Sequence, residues 1–218
     1  MTNQDLIEKT KDYVKLVLKN AEGGHDWFHT LRVFNNSILI AKSENANMPV
    51  VKLAALLHDI ADSKFHNGNE FLGPEMAATF LIKNNADSTV VTHVLNIIKH
   101  MSFKNSLENG QTFNSLEMQI VQDADRLDAI GAIGIARAFN YGGFKNRAMF
   151  DPAIKPNLNM TKAEYKNSTA PTINHFYEKL LLLKDQMNTK TGIALAKERH
   201  RFMEQFLEQF YAEWDGER

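Results

Sequence analysis

Apolar residues recur at helical spacing along nearly the whole chain, with no competing strand alternation, and the pattern predicts an all-α protein. Leu6, Tyr13, Val14, Leu16, Val17 and Leu18 give a first helix an apolar side, which Gly23-Gly24 ends. Asp26 is placed to cap a second helix through Trp27, Leu31, Val33, Phe34, Ile38, Leu39 and Ile40, with His29 in its first turn. Pro49 suits the opening of a third helix, whose run Leu53-Ala54-Ala55-Leu56-Leu57 is apolar on nearly every side and therefore buried. That helix ends in His58-Asp59. Further helices are predicted over 73–84, 88–100, 115–139, 172–187 and 192–214. Two stretches read as irregular, 103–114 and 141–171. The second carries Gly142-Gly143, Pro152, Pro156 and Pro171, and a loop of that length is commonly functional.

The chain is long enough to bury a substantial core and is read as one domain over 1–218. Its motif-bearing core spans about 20–140, and an irregular loop and C-terminal helices span about 141–218. Hydrophobic residues at 44% and charged residues at 23% fit an ordinary folded protein. Charge adds a restriction: 25 basic residues against 26 acidic give a net charge of -1, so no global basic field invites a nucleic-acid polymer. The absence of cysteine excludes disulfides, thiolate nucleophiles and thiolate metal sites. Any metal must therefore be held by nitrogen and oxygen. A polar N-terminal segment and the lack of a membrane-length apolar run give a cytoplasmic expectation with no membrane partner. Oligomeric state is left open.

The candidate chemistry lies in His29, His58, Asp59 and Asp125, two imidazoles and two carboxylates that together make a mixed shell for a divalent cation. An HD dipeptide alone carries little weight, since the chain has a second one, His25-Asp26. Context separates them. His58-Asp59 follows a helix that must be buried, where an imidazole beside a carboxylate needs a compensating partner. A cation is one solution and a hydrogen-bonded helix end is another. In Asp123-Ala124-Asp125-Arg126-Leu127-Asp128, a rotation of about 100° per residue sends Asp123 and Asp125 to nearly opposite sides. Asp125 and Asp128 share a face, and Ala124, Leu127 and Ile130 mark the buried flank; a solvated acidic face fits the same run.

The ordered set His29, His58-Asp59 and Asp125 resembles the H…HD…D signature of the HD-domain superfamily of metal-dependent phosphohydrolases. The strings Gly24-His25-Asp26-Trp27-Phe28-His29 and Gln122 to Gly131 are similar to those of small bacterial HD-domain proteins that look like nucleotide pyrophosphohydrolases. That likeness continues through Tyr141-Gly142-Gly143 and Asn174 to Lys179, covering nearly the whole chain. It implies an HD-type helical bundle with additional C-terminal helices and one divalent metal, Mn²⁺ favoured, with Mg²⁺, Co²⁺, Ni²⁺ or Fe²⁺ as alternatives. It also implies a small-molecule nucleotide substrate, a nucleoside triphosphate cleaved to monophosphate and pyrophosphate. A 5′-nucleotidase or other phosphomonoesterase and a weakly active nucleotide sensor are the competing readings.

Asp62 follows His58 by four residues and Asp59 by three, on the same helical side if the helix persists, and is the candidate to orient or deprotonate the attacking water. The alarmone hydrolases of the superfamily carry a Glu-Asp pair in this region, whereas this chain has Asp62-Ser63. Lys64, Lys104, Lys145 and Arg147 are candidates to bind the substrate phosphates, the last two from a lid over 141–171. His93 and His100, seven residues apart, can share a helical face; the resemblance makes them candidates for a second metal, since some HD proteins use two additional histidines there, with His100 as a plain helix C-terminal cation the alternative. His25 sits either at the pocket mouth or in a plain loop. His66 and His200 carry no distinct signal, and His175 either faces the site from the C-terminal part or is a satisfied polar packing residue, the second being the default.

Overall fold

Side-chain caps start most of the helices, which is why a pattern of caps followed by apolar periodicity locates them. In the computed structural model, which describes residues 2–21, 24–61, 69, 71–101, 113–161, 164 and 167–217, α1 (Asn3–Val17) opens with a reciprocal box. The Thr2 hydroxyl accepts from the Asp5 amide, and the Asp5 carboxylate accepts from the Thr2 amide. Asp26 caps α2 (Trp27–Ala41), and Asn47 caps α3 (Met48–Leu57), with Pro49 in its first turn. α4 (Leu72–Lys83) follows, then α5 (Ser88–His100), capped by Asp87. Each such cap contributes about 1 kcal/mol. No strand occurs among the described residues, and the fold is all-α.

Residues Met1–Asp125 form one compact unit. Its axis is α3, which packs against α1, α2 and α5, while α4 packs on α5. Leu53, Ala54, Ala55, Leu56 and Leu57 are all buried on every side, and burying each leucine stabilises the unit by roughly 1.5–3 kcal/mol. The helix is thereby pinned in depth, and so is its C-terminal residue, His58. On α6 (Leu116–Asp128) the predicted rotation holds: Asp123 is fully buried, whereas the Asp125 side chain is 44% exposed. Ala124, Leu127 and Ile130 are buried as expected. A solvated acidic face is not what forms, because Asp128 is buried too and ion-paired to Arg137 at 2.7 Å.

Residues Arg126–Arg218 form a second compact unit. The single helix predicted over 115–139 is two, with α7 (Gly131–Phe144) starting afresh after a turn at Ala129 and Ile130. Gly131 has φ +73, which glycine adopts at little cost. Buried Leu127 and Ile130 continue the apolar pattern straight through the break, so periodicity does not register it. The helix predicted over 172–187 also divides, into α8 (Thr172–Glu178) and a 3-10 segment (Leu180–Gln186) beyond Lys179. α9 (Lys190–Trp214), capped by Thr189, packs on α7 and on the 3-10 segment. Phe139, Phe176, Phe206 and Phe210 fill the space between these elements with ring centroids 5.9 to 6.4 Å apart.

Gly142 and Gly143, expected in the irregular stretch, are helical. A Cβ on Gly142 would fall inside the van der Waals radius of the Thr172 hydroxyl, so glycine permits the close approach of α7 and α8. The described part of the stretch expected as a lid is tied down. Thr172 and Ile173 amides donate to the Ala148 and Met149 carbonyls, and the Asn174 amide group donates to Ile154 O. The Phe150 ring meets Phe210, Tyr211 and Trp214 edge-on. Of the other irregular stretch, only Phe113 and Asn114 lie within the described residues. No helix among the described residues is long and apolar enough to cross a membrane.

Candidate metal centre

Two helix ends and one helix face of the first unit bring the candidate ligands together. The Asp26 carboxylate accepts the His29 backbone amide at 2.8 Å, fixing His29 in the first turn of α2. His58 and Asp59 leave the buried end of α3, and Asp125 comes from the face of α6 opposite Asp123. His29 Nε2 lies 3.5 Å from Asp125 Oδ1 and 4.0 Å from Asp59 Oδ2, and its ring centroid is 5.4 Å from that of His58. Two overlapping groups able to hold a metal ion result, His29 with His58 and Asp125, and His29 with His25 and Asp59. His29 is almost completely buried at 2%, and the Asp59 side chain is 15% exposed.

His58 tests whether these residues suit a cation. Its Nδ1 lies 2.9 Å from the Ala55 carbonyl. A carbonyl only accepts, so Nδ1 carries the proton, and in the neutral imidazole Nε2 is then the nitrogen with the lone pair. That Nε2 is buried without a hydrogen-bond partner among the described residues. A bare buried acceptor is costly, by roughly 1–3 kcal/mol, and its orientation by a backbone carbonyl on the far side of the ring is the arrangement found in metal-binding histidines. The donor set is oxygen and imidazole nitrogen, suited to Mn²⁺, Fe²⁺, Co²⁺ or Ni²⁺ and without the thiolates that favour structural zinc.

Asp59 is held ionised. Burial pushes its carboxyl up, but the hydrogen bond from His25, with the imidazoles of His58, His25 and His29 around the carboxylate, outweighs burial and holds it below the usual aspartate value. His25 Nδ1 sits 2.5 Å from Asp59 Oδ2. The residue left at the pocket mouth or in a loop by sequence reasoning is thus a member of the cluster; its spacing of four from His29 was the available signal. Both halves of the second HD dipeptide have employment here, His25 on Asp59 and Asp26 on the α2 amide.

The remaining candidates fall elsewhere. Asp62, Lys64, Lys104 and His66 lie outside the described residues. Lys145 and Arg147 belong to the second unit. There Lys145 Nζ lies over the Tyr141 and Phe144 rings, while the Arg147 guanidinium lies over Tyr141 and donates to the Ser168 carbonyl. His93 Nε2 contacts Ser115 Oγ at 2.9 Å and Glu117 Oε2 at 3.5 Å. His100 Nδ1 bonds its own helix at Asn96 O, and the Phe113 ring lies within 6 Å of both imidazoles, at 5.8 and 5.6 Å. Neither joins a metal-holding group among the described residues. His175 is partly buried, and burial first, then Lys179 and Arg147, lower its pKa to about 4.

Residues 27–130, which contain His29, His58, Asp59 and Asp125 but not His25, match the HD domain family. Across 213 residues the chain is 37% identical to the protein YpgQ of Bacillus subtilis (strain 168), covering 96% of this chain and 94% of that one. Among solved structures it is similar to an HD-superfamily hydrolase from Bacillus thuringiensis, with 44% identity, TM-score 0.80, and 99% and 100% of the two chains covered. It is similar also to Bacillus subtilis YpgQ in complex with ADP, with 34% identity, TM-score 0.78, and 98% and 97% covered.

Proposed function

This chain belongs to the HD-domain family and is a hydrolase of the HD type, and from that premise we propose that it is a metal-dependent phosphohydrolase acting on a small nucleotide. The reaction we favour is cleavage of a nucleoside triphosphate to the monophosphate and pyrophosphate. The observation that carries the reading is His58 Nε2, a buried lone pair with no hydrogen-bond partner among the described residues, aimed into a cluster of carboxylates and imidazoles. His29, His58, Asp59 and Asp125 would hold one divalent cation, Mn²⁺ by preference. Such an ion acidifies a water molecule and draws charge from the phosphoryl group under attack.

The protein's own contribution is position and charge. Ala55 O fixes the His58 ring from behind, and the Asp26 cap fixes the His29 backbone beneath a ring that is itself buried. Asp59, held ionised, keeps its charge well below neutral pH. Asp125 turns a half-exposed side chain outward, and substrate phosphate and water would reach the cluster past it. Asp62, four residues beyond His58 in sequence, is the proposed group that orients or deprotonates the attacking water.

YpgQ has been crystallised with ADP, which supports a nucleotide as the ligand class. The test is a panel of nucleoside mono-, di- and triphosphates with Mn²⁺, Mg²⁺, Co²⁺ and Ni²⁺, separating pyrophosphate from orthophosphate among the products. Pyrophosphate from triphosphates is the expected result. Orthophosphate alone would replace this reading with a 5′-nucleotidase or other phosphomonoesterase.

A further inference from the structure

We propose that His25 is a positioning residue of the cation site, orienting Asp59 through a hydrogen bond and bracing His29 through ring packing; the proposal rests on the reading of this cluster as a divalent-cation centre. His25 precedes the segment that matches the HD domain family, so the family's ordered ligand set does not include it. Its place is nonetheless within the cluster. His25 Nδ1 lies 2.5 Å from Asp59 Oδ2, and its ring centroid is 5.8 Å from that of His29 at an interplanar angle of 66°.

The direction of the hydrogen bond decides the role. An ionised carboxylate only accepts, so His25 Nδ1 carries the proton and donates it. A protonated nitrogen has no lone pair to offer a cation, so the atom that faces the cluster positions a ligand and is not one. The His25 bond takes one lone pair of Asp59 Oδ2 and leaves Oδ1 outside it, so the carboxylate is able to coordinate while its plane is held. The contact also joins two helix ends. Asp26, the next residue, caps α2 through the His29 amide, so the His25-Asp26 pair ties the start of α2 to the residue just beyond α3. Without His25, a carboxylate only 15% exposed would lose its short donor and could rotate beside His29.

The experiment measures Mn²⁺ affinity of the full chain by competition with a fluorescent chelator, for the wild type, His25→Ala and His25→Asn. Imidazoles bound to Mn²⁺ are counted in parallel by pulsed electron paramagnetic resonance. His25→Ala is expected to weaken binding about 10–100-fold, the usual effect of removing a residue that orients a ligand. His25→Asn, whose amide nitrogen reaches the position of Nδ1, is expected to restore most of that loss. The imidazole count stays the same in all three. Equal affinity in wild type and His25→Ala overturns the proposal, as does equal loss in the Ala and Asn variants. One imidazole fewer in His25→Ala would make His25 a ligand and overturn it as well. Should the Ala variant fail to fold by circular dichroism, the Asn variant with its spectroscopic count still decides. A wild type that binds none of Mn²⁺, Mg²⁺, Co²⁺ or Ni²⁺ removes the cation centre itself, a failure distinct from unchanged affinity in a variant of a cation-binding protein.

Discussion

Acidification between pH 7 and pH 5 should destabilise the protein through His175. Burial, with Lys179 and Arg147 adding to it, lowers the pKa of His175 from 6.5 to about 4 in the folded chain. The unfolded chain therefore binds the proton more readily, and ΔG of unfolding rises with pH wherever the two states differ in protonation. The stability concerned is fully present above the unfolded value near 6.5 and is lost as pH falls toward the folded value of about 4. A difference of about 2.5 units corresponds to roughly 3 kcal/mol at full protonation of both states, of which about 2 kcal/mol is lost between pH 7 and pH 5. Asp59, also shifted, acts in another window: its stabilisation is present above the ordinary aspartate value of 3.8 and disappears only below it. Urea unfolding at pH 5, 6 and 7, on wild type and His175→Gln, isolates the term. Wild type should lose about 2 kcal/mol more than the variant over this range. Parallel pH profiles for the two proteins would refute the buried neutral histidine.

Three further outcomes are expected. His58→Ala should reduce Mn²⁺ affinity at least about 100-fold in a chelator competition while leaving the helical circular dichroism intact, because it deletes a ligand from an otherwise cap-stabilised framework. Asp62→Asn should lower turnover about 100-fold or more with Mn²⁺ affinity unchanged, and unchanged turnover would dismiss its role as the water-activating base. Gly142→Ala should destabilise the chain by about 1–3 kcal/mol in urea, since its methyl group would overlap the Thr172 hydroxyl. Adding Thr172→Ala should recover much of that loss, and additive losses would refute the clash.

Cap and periodicity together made α2 and α3 legible, because Asp26, Asn47 and Pro49 announce helix starts in the same local chemistry that forms them. Separation of Asp123 from Asp125 needed only the helical angle, and burial of one with exposure of the other follows from it. What escaped was tertiary in origin. The break before Gly131 is invisible to periodicity, since buried residues continue across it, and the helical run through Gly142-Gly143 depends on α8 packing against α7. His25 was left between the pocket mouth and a plain loop because its partner, Asp59, is thirty-four residues away and meets it only when α2 and α3 pack together. Beyond its spacing from His29, nothing local to a loop histidine points to such a partner.

The unequal exposure of the four proposed ligands has a kinetic consequence. His29 and Asp59 form a buried floor and His58 offers a fixed lone pair, whereas Asp125 has a side chain 44% open to water. A cation settling there would meet the floor first and be closed over last by Asp125, whose two side-chain torsions are the cheapest to rearrange. Ion exchange would then be governed by a single surface carboxylate swinging aside, with the helices unmoved. Metal capture and metal loss would then be fast, independent of unfolding, and adjustable at one residue without rebuilding the floor beneath it.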